Sequence, residues 1–166
     1  MTAAGGSSEG LSVLHQRLET HFASLRTRRD EEAGPSYPIF ALEHSLPDAE
    51  LALLTSTVRQ AVQRRNLSRA AWLPYVIYAA EIGYEYSGDE YWQTFTARTP
   101  GWADDAWSRE YIRTNFNKFA SQFGGARPSG AWAAHFTIIC WPITHAVLPT
   151  DLQRQLVRCS STIAAP

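Results

Sequence analysis

The sequence predicts an all-α fold, an irregular bundle of six to seven helices with a buried, proline-containing central helix. Three observations lead to this prediction. Apolar residues recur at three- and four-residue steps along most of the 166-residue chain, several polar residues stand where helix caps belong, and two segments are apolar on every side. No convincing pair of β-strands competes with these helices.

The composition indicates a globular protein of a reducing compartment. Hydrophobic residues make up 45% of the chain and the formal net charge is −1, which suits a sizeable core and argues against a dedicated surface for nucleic acid or anionic membranes. Abundant alanine and a single lysine, Lys118, are typical of a GC-rich bacterial genome. Cys140 and Cys159 belong to no disulfide or metal motif, and no secretory signal is present. We therefore expect a bacterial, cytoplasmic protein without a cofactor or metal.

Small and polar residues at positions 1–10 predict a disordered tail, and residues 11–166 predict a single helical domain, which could also be the N-terminal module of a longer protein. The first helix is expected over residues 10–29, because its apolar residues fall on one face: Leu11, Leu14, Leu18, Phe22 and Leu25. A glycine and two prolines then predict a linker. The state of residues 39–46 stays open.

The second helix is predicted to begin with Ser45 and Asp48 spaced as a variant of the capping box and with Pro47 in its first turn. Its apolar face is formed by Leu51, Leu54, Val58, Ala61 and Val62. Arg64 and Arg65 are expected in its last turn, where cations interact favourably with the helix dipole.

A third helix is predicted from about Ser68 to Tyr84, and it is expected to be buried, because residues 72–80 leave no polar face. Pro74 either starts this helix or kinks it. The main alternative is a β-strand over residues 75–80, since aromatic and β-branched residues also suit strands.

Two further helices follow in the prediction. Ser87 and Glu90 have the spacing of a capping box for a short fourth helix. The fifth helix is expected to begin at one of two aspartates, Asp104 or Asp105, and to end at Gly124. Its predicted apolar face holds Trp107, Tyr111, Ile112, Phe116, Phe119, Ala120 and Phe123.

Residues 131–149 carry no formal charge and form the predicted central helix, which Pro142 should kink or break. Their length is close to that of a membrane span. Two histidines, two threonines and Pro142 interrupt them, so we expect a core helix instead. A last helix is predicted from Thr150 onward, with Gln153 completing a capping box.

Aromatic residues crowd one stretch of the chain: Tyr84, Tyr86, Tyr91, Trp92, Phe95, Trp102 and Trp107. Tyrosine and tryptophan are enriched at protein interfaces, but they also seal cores, and a packed corner is the favoured interpretation. If some of these side chains stay exposed, the region around Tyr86, Trp92 and Trp102 is the predicted binding surface for a partner protein or for further segments of the chain.

The candidates for a polar site are few: Glu81, Glu85, Arg109, Arg113, His135 and His145. The two glutamates lie one helical turn apart, as do the two arginines, and ion pairs between the two sets are expected. The alternatives are that the glutamates help to bind a hard cation and that the arginines hold an anion. The histidines have no further ligands at a metal-binding spacing. They are interpreted as buried histidines with satisfied hydrogen bonds.

Four arginines form a basic cluster that could contact phosphates: Arg59, Arg64, Arg65 and Arg69. Motifs of nucleotide binding, of serine hydrolases and of zinc proteases are absent from the sequence. The leading hypothesis is a helical protein-interaction module or a subunit of a bacterial complex. The alternatives are an enzyme that uses Glu81, Glu85 or His135 as an acid or base under the aromatic residues, and a nucleic-acid-associated protein that uses the arginines.

Overall fold

The computed structural model describes residues 5–33, 39–65, 67–85 and 91–124, except for the side chains of residues 5–8, 33, 84 and 85. These ranges contain five α-helices: α1 (Gly5–Ala33), α2 (Asp48–Gln63), α3 (Leu73–Glu85), α4 (Tyr91–Arg98) and α5 (Ala106–Phe123). A short 3₁₀ turn, Ala41–Glu43, lies between α1 and α2. No β-strand occurs within the described ranges, and the predicted all-α class is confirmed.

Helix α3 lies at the centre of the packing, in contact with α1, α2, α4, α5 and the 3₁₀ turn. Every residue from 71 to 80 is buried. The predicted buried third helix is therefore confirmed, and the alternative of a strand over residues 75–80 is wrong. Pro74 occupies the first turn, where no backbone N–H is needed for an intrahelical hydrogen bond, so it helps to start the helix.

Helix α1 packs against α2, α3 and α5 with the face that its sequence predicts. Leu18 and Phe22 are fully buried, and the other apolar residues of that face are buried beside them. The helix is longer than predicted, because it begins at Gly5 and includes the second half of the expected tail. The weak helix propensity of glycine and serine underlies the shorter prediction.

Helix α2 starts at Asp48, so Pro47 immediately precedes the helix and does not lie in its first turn as predicted, and no side-chain hydrogen bond caps it. Ser45 instead takes a left-handed conformation with φ 52°. Acidic residues of the first turn, such as Asp48, place negative charge at the positive end of the helix dipole. The helix ends at Gln63 and Arg65 is left-handed, with φ 53°, so the two arginines expected in the last turn follow the helix.

Helix α5 has the ends that its sequence predicts. The Asp105 carboxylate accepts a hydrogen bond from the Ser108 backbone N–H at 2.7 Å, which satisfies one of the free donors of the first turn. Gly124 follows the last turn in a left-handed conformation, with φ 71°. This conformation is the usual one for a glycine that closes a helix.

The buried face of α5 departs from the predicted one in the first turn. Ile112 and Phe116 are buried as predicted, and the residue four positions before Ile112 is Ser108, which is buried as well. Trp107 therefore lies about 100° around the helix from the core position, and it is 61% exposed. Tyr111, one turn later on the same face, is half-buried.

Several predictions fall outside the described residues and stay predictions. They concern the central helix over residues 131–149 with its Pro142, the last helix from Thr150, and the two cysteines, Cys140 and Cys159. The described part holds five of the six to seven α-helices expected. None of these five combines the length and the apolar character that crossing a bilayer requires.

Candidate functional site

Four aromatic side chains from α4 and the turn after it pack against one another, and we call them the aromatic corner: Tyr91, Trp92, Phe95 and Trp102. The Phe95 ring meets Trp102 edge-on with 4.8 Å between centroids, and Trp92 stacks parallel to Trp102 at 6.3 Å. Aromatic pairs prefer such edge-on and stacked geometries. Tyr91 and Phe95 are buried and Trp102 is only 8% exposed, so most of the corner belongs to the core.

Trp92 is the half-buried member of the corner, and a cation lies over it. The Arg109 guanidinium is 5.2 Å from the centroid of its ring. Asp104 holds that guanidinium through hydrogen bonds of 2.6 and 2.7 Å, which keep the pKa of the Asp104 carboxyl below its usual value. Of the three predicted interface residues, Trp102 is buried, Trp92 is partly covered, and Tyr86 lies outside the described residues.

Glu81 meets a histidine. His44 is buried, and its Nε2 lies 2.9 Å from Glu81 Oε1. The His44 Nδ1 accepts a hydrogen bond from the Leu46 backbone N–H at 3.0 Å, so the ring proton is on Nε2, which donates to the carboxylate. Neither ring nitrogen is free to exchange a proton with a substrate. The pair therefore orders the turn before α2 and is poorly suited to acid–base catalysis.

The ion pairs predicted between α3 and α5 differ from those in the structure. Glu81 and Arg109 have the partners described above, and Arg113 Nη1 lies 3.8 Å from Glu110 Oε2 on its own helix. Side chains three residues apart on a helix are neighbours, so this local pair forms without help from the rest of the fold. Glu85 is the last residue of α3, and its side chain is not described.

The predicted histidine candidates, His135 and His145, lie outside the described residues. Within the described ranges, no three histidine, cysteine or acidic side chains come together in a way that could hold a metal ion. A structural zinc site takes four such ligands and a catalytic one takes three.

The basic cluster is partly engaged inside the fold. Arg59 Nε donates a hydrogen bond to the Tyr78 hydroxyl at 3.2 Å, and its guanidinium also lies over the Tyr78 ring. Arg65 and Arg69 are exposed. Arg69 lines a surface that is formed mainly by α5.

That surface is a groove along the outer face of α5, and we call it the α5 groove. Its volume is about 380 Å³, in the lower part of the range for ligand sites. The side chains that line it are Arg69, Trp107, Glu110, Tyr111, Thr114, Asn115 and Lys118. All of these except Arg69 recur at three- and four-residue steps, so one helix face supplies them, while Arg69 comes from the loop before α3.

Tyr111 fixes the loop that carries Arg69. Its hydroxyl donates to the Ser68 carbonyl oxygen at 2.6 Å, and its ring meets Tyr75 edge-on at 5.4 Å. Burial raises the pKa of the Tyr111 hydroxyl, the nearby Tyr75 raises it further, and the neighbouring Asn115 side chain opposes the change. The hydroxyl therefore stays protonated at physiological pH and remains a donor to the loop.

Trp107 has the largest exposed apolar side chain among the described residues. Its ring stacks on Tyr111, inclined by 25° with 6.2 Å between centroids, so one face is supported while most of the side chain meets solvent. Apolar spacing alone predicts Trp107 on the core face of α5. The sequence signal that would have placed Trp107 outside the core face is Ser108, which lies four residues before the buried Ile112 and therefore on the same side of the helix.

No family model, curated protein or solved structure matches this chain. Of the surfaces described above, the aromatic corner is mostly closed, and both ring nitrogens of His44 beside Glu81 are engaged in hydrogen bonds. The α5 groove combines an open aromatic ring with exposed cations.

Proposed function

We propose that this chain is a helical protein-interaction module, a subunit of a bacterial cytoplasmic complex, and that a partner protein docks on the α5 groove. The observation that carries the proposal is the 61% exposure of Trp107. Single exposed apolar residues are common on proteins, but Trp107 lies in a groove and is stacked on a second aromatic ring. Tryptophan is also among the residue types most enriched at the energetic centres of interfaces.

The groove is preorganised for binding. Asp105 and Gly124 cap α5 at its two ends, and the opposite face of the helix is buried. Tyr111, on which Trp107 rests, is held by its hydrogen bond to Ser68. An aromatic anchor on a rigid support loses little conformational entropy when a partner binds.

The predicted surface around Tyr86, Trp92 and Trp102 takes a secondary place in this proposal. Trp92 could contact a partner with its exposed edge, supported from below by the buried Trp102. A partner that used the whole ring would have to displace the Arg109 guanidinium. We therefore place the anchor of the interface at Trp107.

Quantitative co-purification from cells of the source organism tests the proposal, with Trp107→Ala as the variant and Leu53→Ala as its matched control. Leu53 lies on α2 and is 57% exposed, so both changes remove an exposed apolar side chain and should alter the unfolding free energy by less than about 0.5 kcal/mol. We expect a partner that the parent and Leu53→Ala retain. Trp107→Ala should bind it about 30-fold more weakly, which corresponds to a hot spot of about 2 kcal/mol.

Equal retention of every partner by the two variants would contradict the proposal. A Trp107→Ala protein that melts well below the parent would instead give the ring a role in the fold. Trp107→Phe then distinguishes the two roles, because phenylalanine can still stack on Tyr111 while it offers a partner a smaller surface without the indole N–H.

A further inference from the structure

We infer that the segment bound by the α5 groove is an acidic peptide of the partner protein, with an apolar side chain on Trp107 and carboxylates at Arg69 and Lys118. This inference rests on the proposed function and adds the chemistry of the partner. It is carried by the cations of the groove and by their distance from Trp107.

Arg69 and Lys118 are the cations of the groove, and neither forms an ion pair with an acidic side chain among the residues that the structure describes. Lys118 Nζ lies 4.8 Å from the centroid of the Trp72 ring, a contact that positions the ammonium group without neutralising it. Glu110 also lines the groove, where its carboxylate accepts a hydrogen bond from Thr114 Oγ1 at 3.3 Å and lies 3.8 Å from Arg113 Nη1. Two cations against one carboxylate leave the lining of the groove with an excess of positive charge, which an acidic ligand would neutralise.

The distance along α5 sets the spacing of the ligand groups. Trp107 and Lys118 are about three helical turns apart, which is roughly 16 Å along the helix axis. Arg69 lines the same groove, and the loop that carries it is bound to Tyr111, which lies between Trp107 and Lys118 on α5. An extended peptide covers 16 Å with about five residues. The bound segment should therefore carry its apolar anchor and its acidic residues within about five positions of each other.

A single-stranded nucleic acid also combines stacking with negative charge, but it fits this groove less well. Asp104 and Asp105 precede the first turn of α5, next to Trp107 in the sequence, and Glu110 follows one turn later. Because every nucleotide carries a phosphate, a strand along the groove would meet the Glu110 carboxylate, whereas a peptide can carry its carboxylates only where Arg69 and Lys118 lie. The net charge of −1 also provides no general attraction for a polyanion.

Selection of random short peptides displayed on phage, with the folded parent protein as the target, tests the inference. Enriched peptides should combine an apolar residue with aspartate or glutamate, and they should bind more weakly as the salt concentration rises. Synthetic copies are then titrated against Trp107→Ala, Arg69→Glu and Lys118→Glu. The control is Arg28→Glu, which changes the net charge equally at an exposed position on α1.

We expect the affinity for the selected peptides to fall at least about tenfold in Arg69→Glu and in Lys118→Glu, and no more than about twofold in Arg28→Glu, since like charges across an interface repel. Peptides that need Trp107 but neither cation would overturn the acidic partner and leave the proposed function intact. If no peptide is enriched, or if no enriched peptide binds more weakly to any of the three groove variants, both the acidic partner and the proposed docking on the α5 groove are wrong.

The same variants separate two other occupants. If a fluorescent oligothymidylate binds the parent more tightly than the peptides do and is lost in Lys118→Glu, the ligand is a nucleic acid and the inference is overturned. If the enriched peptides match residues 125–166 of this chain, the occupant is intramolecular and the inference is also overturned. Should circular dichroism show that Lys118→Glu does not fold, Lys118→Gln replaces it, with a smaller expected loss because the charge is removed without being reversed.

Discussion

The Tyr78 hydroxyl joins α3 to the turn after α4. Its oxygen lies 3.1 Å from the Arg98 carbonyl oxygen, 2.8 Å from Thr99 Oγ1 and 3.2 Å from Arg59 Nε. A carbonyl oxygen can only accept, so the Tyr78 O–H donates to Arg98, and the other two groups donate to the Tyr78 oxygen. The hydrogen-bonding capacity of this hydroxyl is thereby used in full.

Tyr78→Phe should lower the free energy of unfolding by about 1–3 kcal/mol, because it takes the hydroxyl partner away from the buried Thr99. Thr99→Val should lower the free energy of unfolding by a similar amount, because it takes the Thr99 hydroxyl away from Tyr78. The double variant should cost less than the sum of the two, since an apolar pair leaves no orphaned group at this contact. Urea unfolding of the four proteins measures the cycle, and additive costs would show that the two hydroxyls do not interact.

His15 lies at the contact between α1 and the start of α3. Its Nδ1 accepts a hydrogen bond from the Leu73 backbone N–H at 3.4 Å, and its ring meets Trp72 edge-on at 5.7 Å. Burial lowers the pKa of His15 from its ordinary value of 6.5, Glu19 opposes this change, and Lys118 adds to it. The folded protein therefore binds this proton less readily than the unfolded chain does.

Acid should therefore destabilise the fold through His15. The folded pKa lies below the ordinary value of 6.5, so the unfolded state binds more protons between the two values. The contribution to stability is complete above pH 6.5 and is lost as the pH falls through the folded pKa. His15→Asn keeps an acceptor for the Leu73 N–H and removes the titrating ring. Its unfolding free energy should depend less on pH below 6.5 than that of the parent, and parallel curves would assign the acid sensitivity to other groups.

At the scale of the helix, two glycines show how the same residue can weaken one element and complete another. Gly10 lies inside α1, where a Cβ atom would meet Thr57 Cγ2 at an ordinary contact distance of 3.8 Å. Gly124 closes α5 with φ 71°, and a Cβ atom there would come within 2.9 Å of Arg26 Nη1. The flexibility of glycine is a cost inside a helix and a requirement at a left-handed cap.

The same chemical change at these two positions should have opposite effects. Gly10→Ala should raise the free energy of unfolding by about 0.5–1 kcal/mol, because alanine is the better helix former. Gly124→Ala should lower it by more than about 1 kcal/mol, because the left-handed backbone is strained and Arg26 must move. Thermal unfolding followed by circular dichroism compares the two variants. A stabilised Gly124→Ala protein would contradict the left-handed cap of α5.

Most helices could be predicted because their signals are local. Apolar spacing locates α1 and α2, and Asp105 and Gly124 mark the ends of α5 through contacts within three or four residues. Spacing is less informative where tertiary context decides the role of a residue. Ser45 turns the chain instead of capping α2, and Trp107 leaves the core face of α5 because Ser108 takes the core position.

The candidate site could not be predicted as a whole, because contacts between distant parts of the chain assemble it. The hydrogen bond from Tyr111 to Ser68 brings Arg69 to the helix that carries Trp107. In the sequence, Arg69 belongs to a basic cluster and Trp107 to a row of aromatic residues. Each of these features can be recognised from the sequence, but residue spacing does not show that Arg69 and Trp107 lie side by side.

Across the described part of the molecule, the helices share one core. Helix α1 packs on α2, α3 and α5, and α4 packs mainly on α3. Trp72, just before α3, connects two sides of this core, because its ring contacts His15 of α1 and stacks 6.5 Å from Phe123 at the end of α5. A substitution at the centre of this core should therefore affect the packing of every described helix.

This arrangement sets the order in which backbone amides should exchange with deuterium. The amides of α3 can reach water only when several neighbouring helices separate, so they should exchange through global unfolding and be the last to take up label. The amides of α4, which rests mainly on one neighbour, should exchange earlier through local opening. Mass spectrometry of peptic fragments compares the two segments. If they exchanged at the same rate under native conditions, α4 would have to open together with α3 as one cooperative unit.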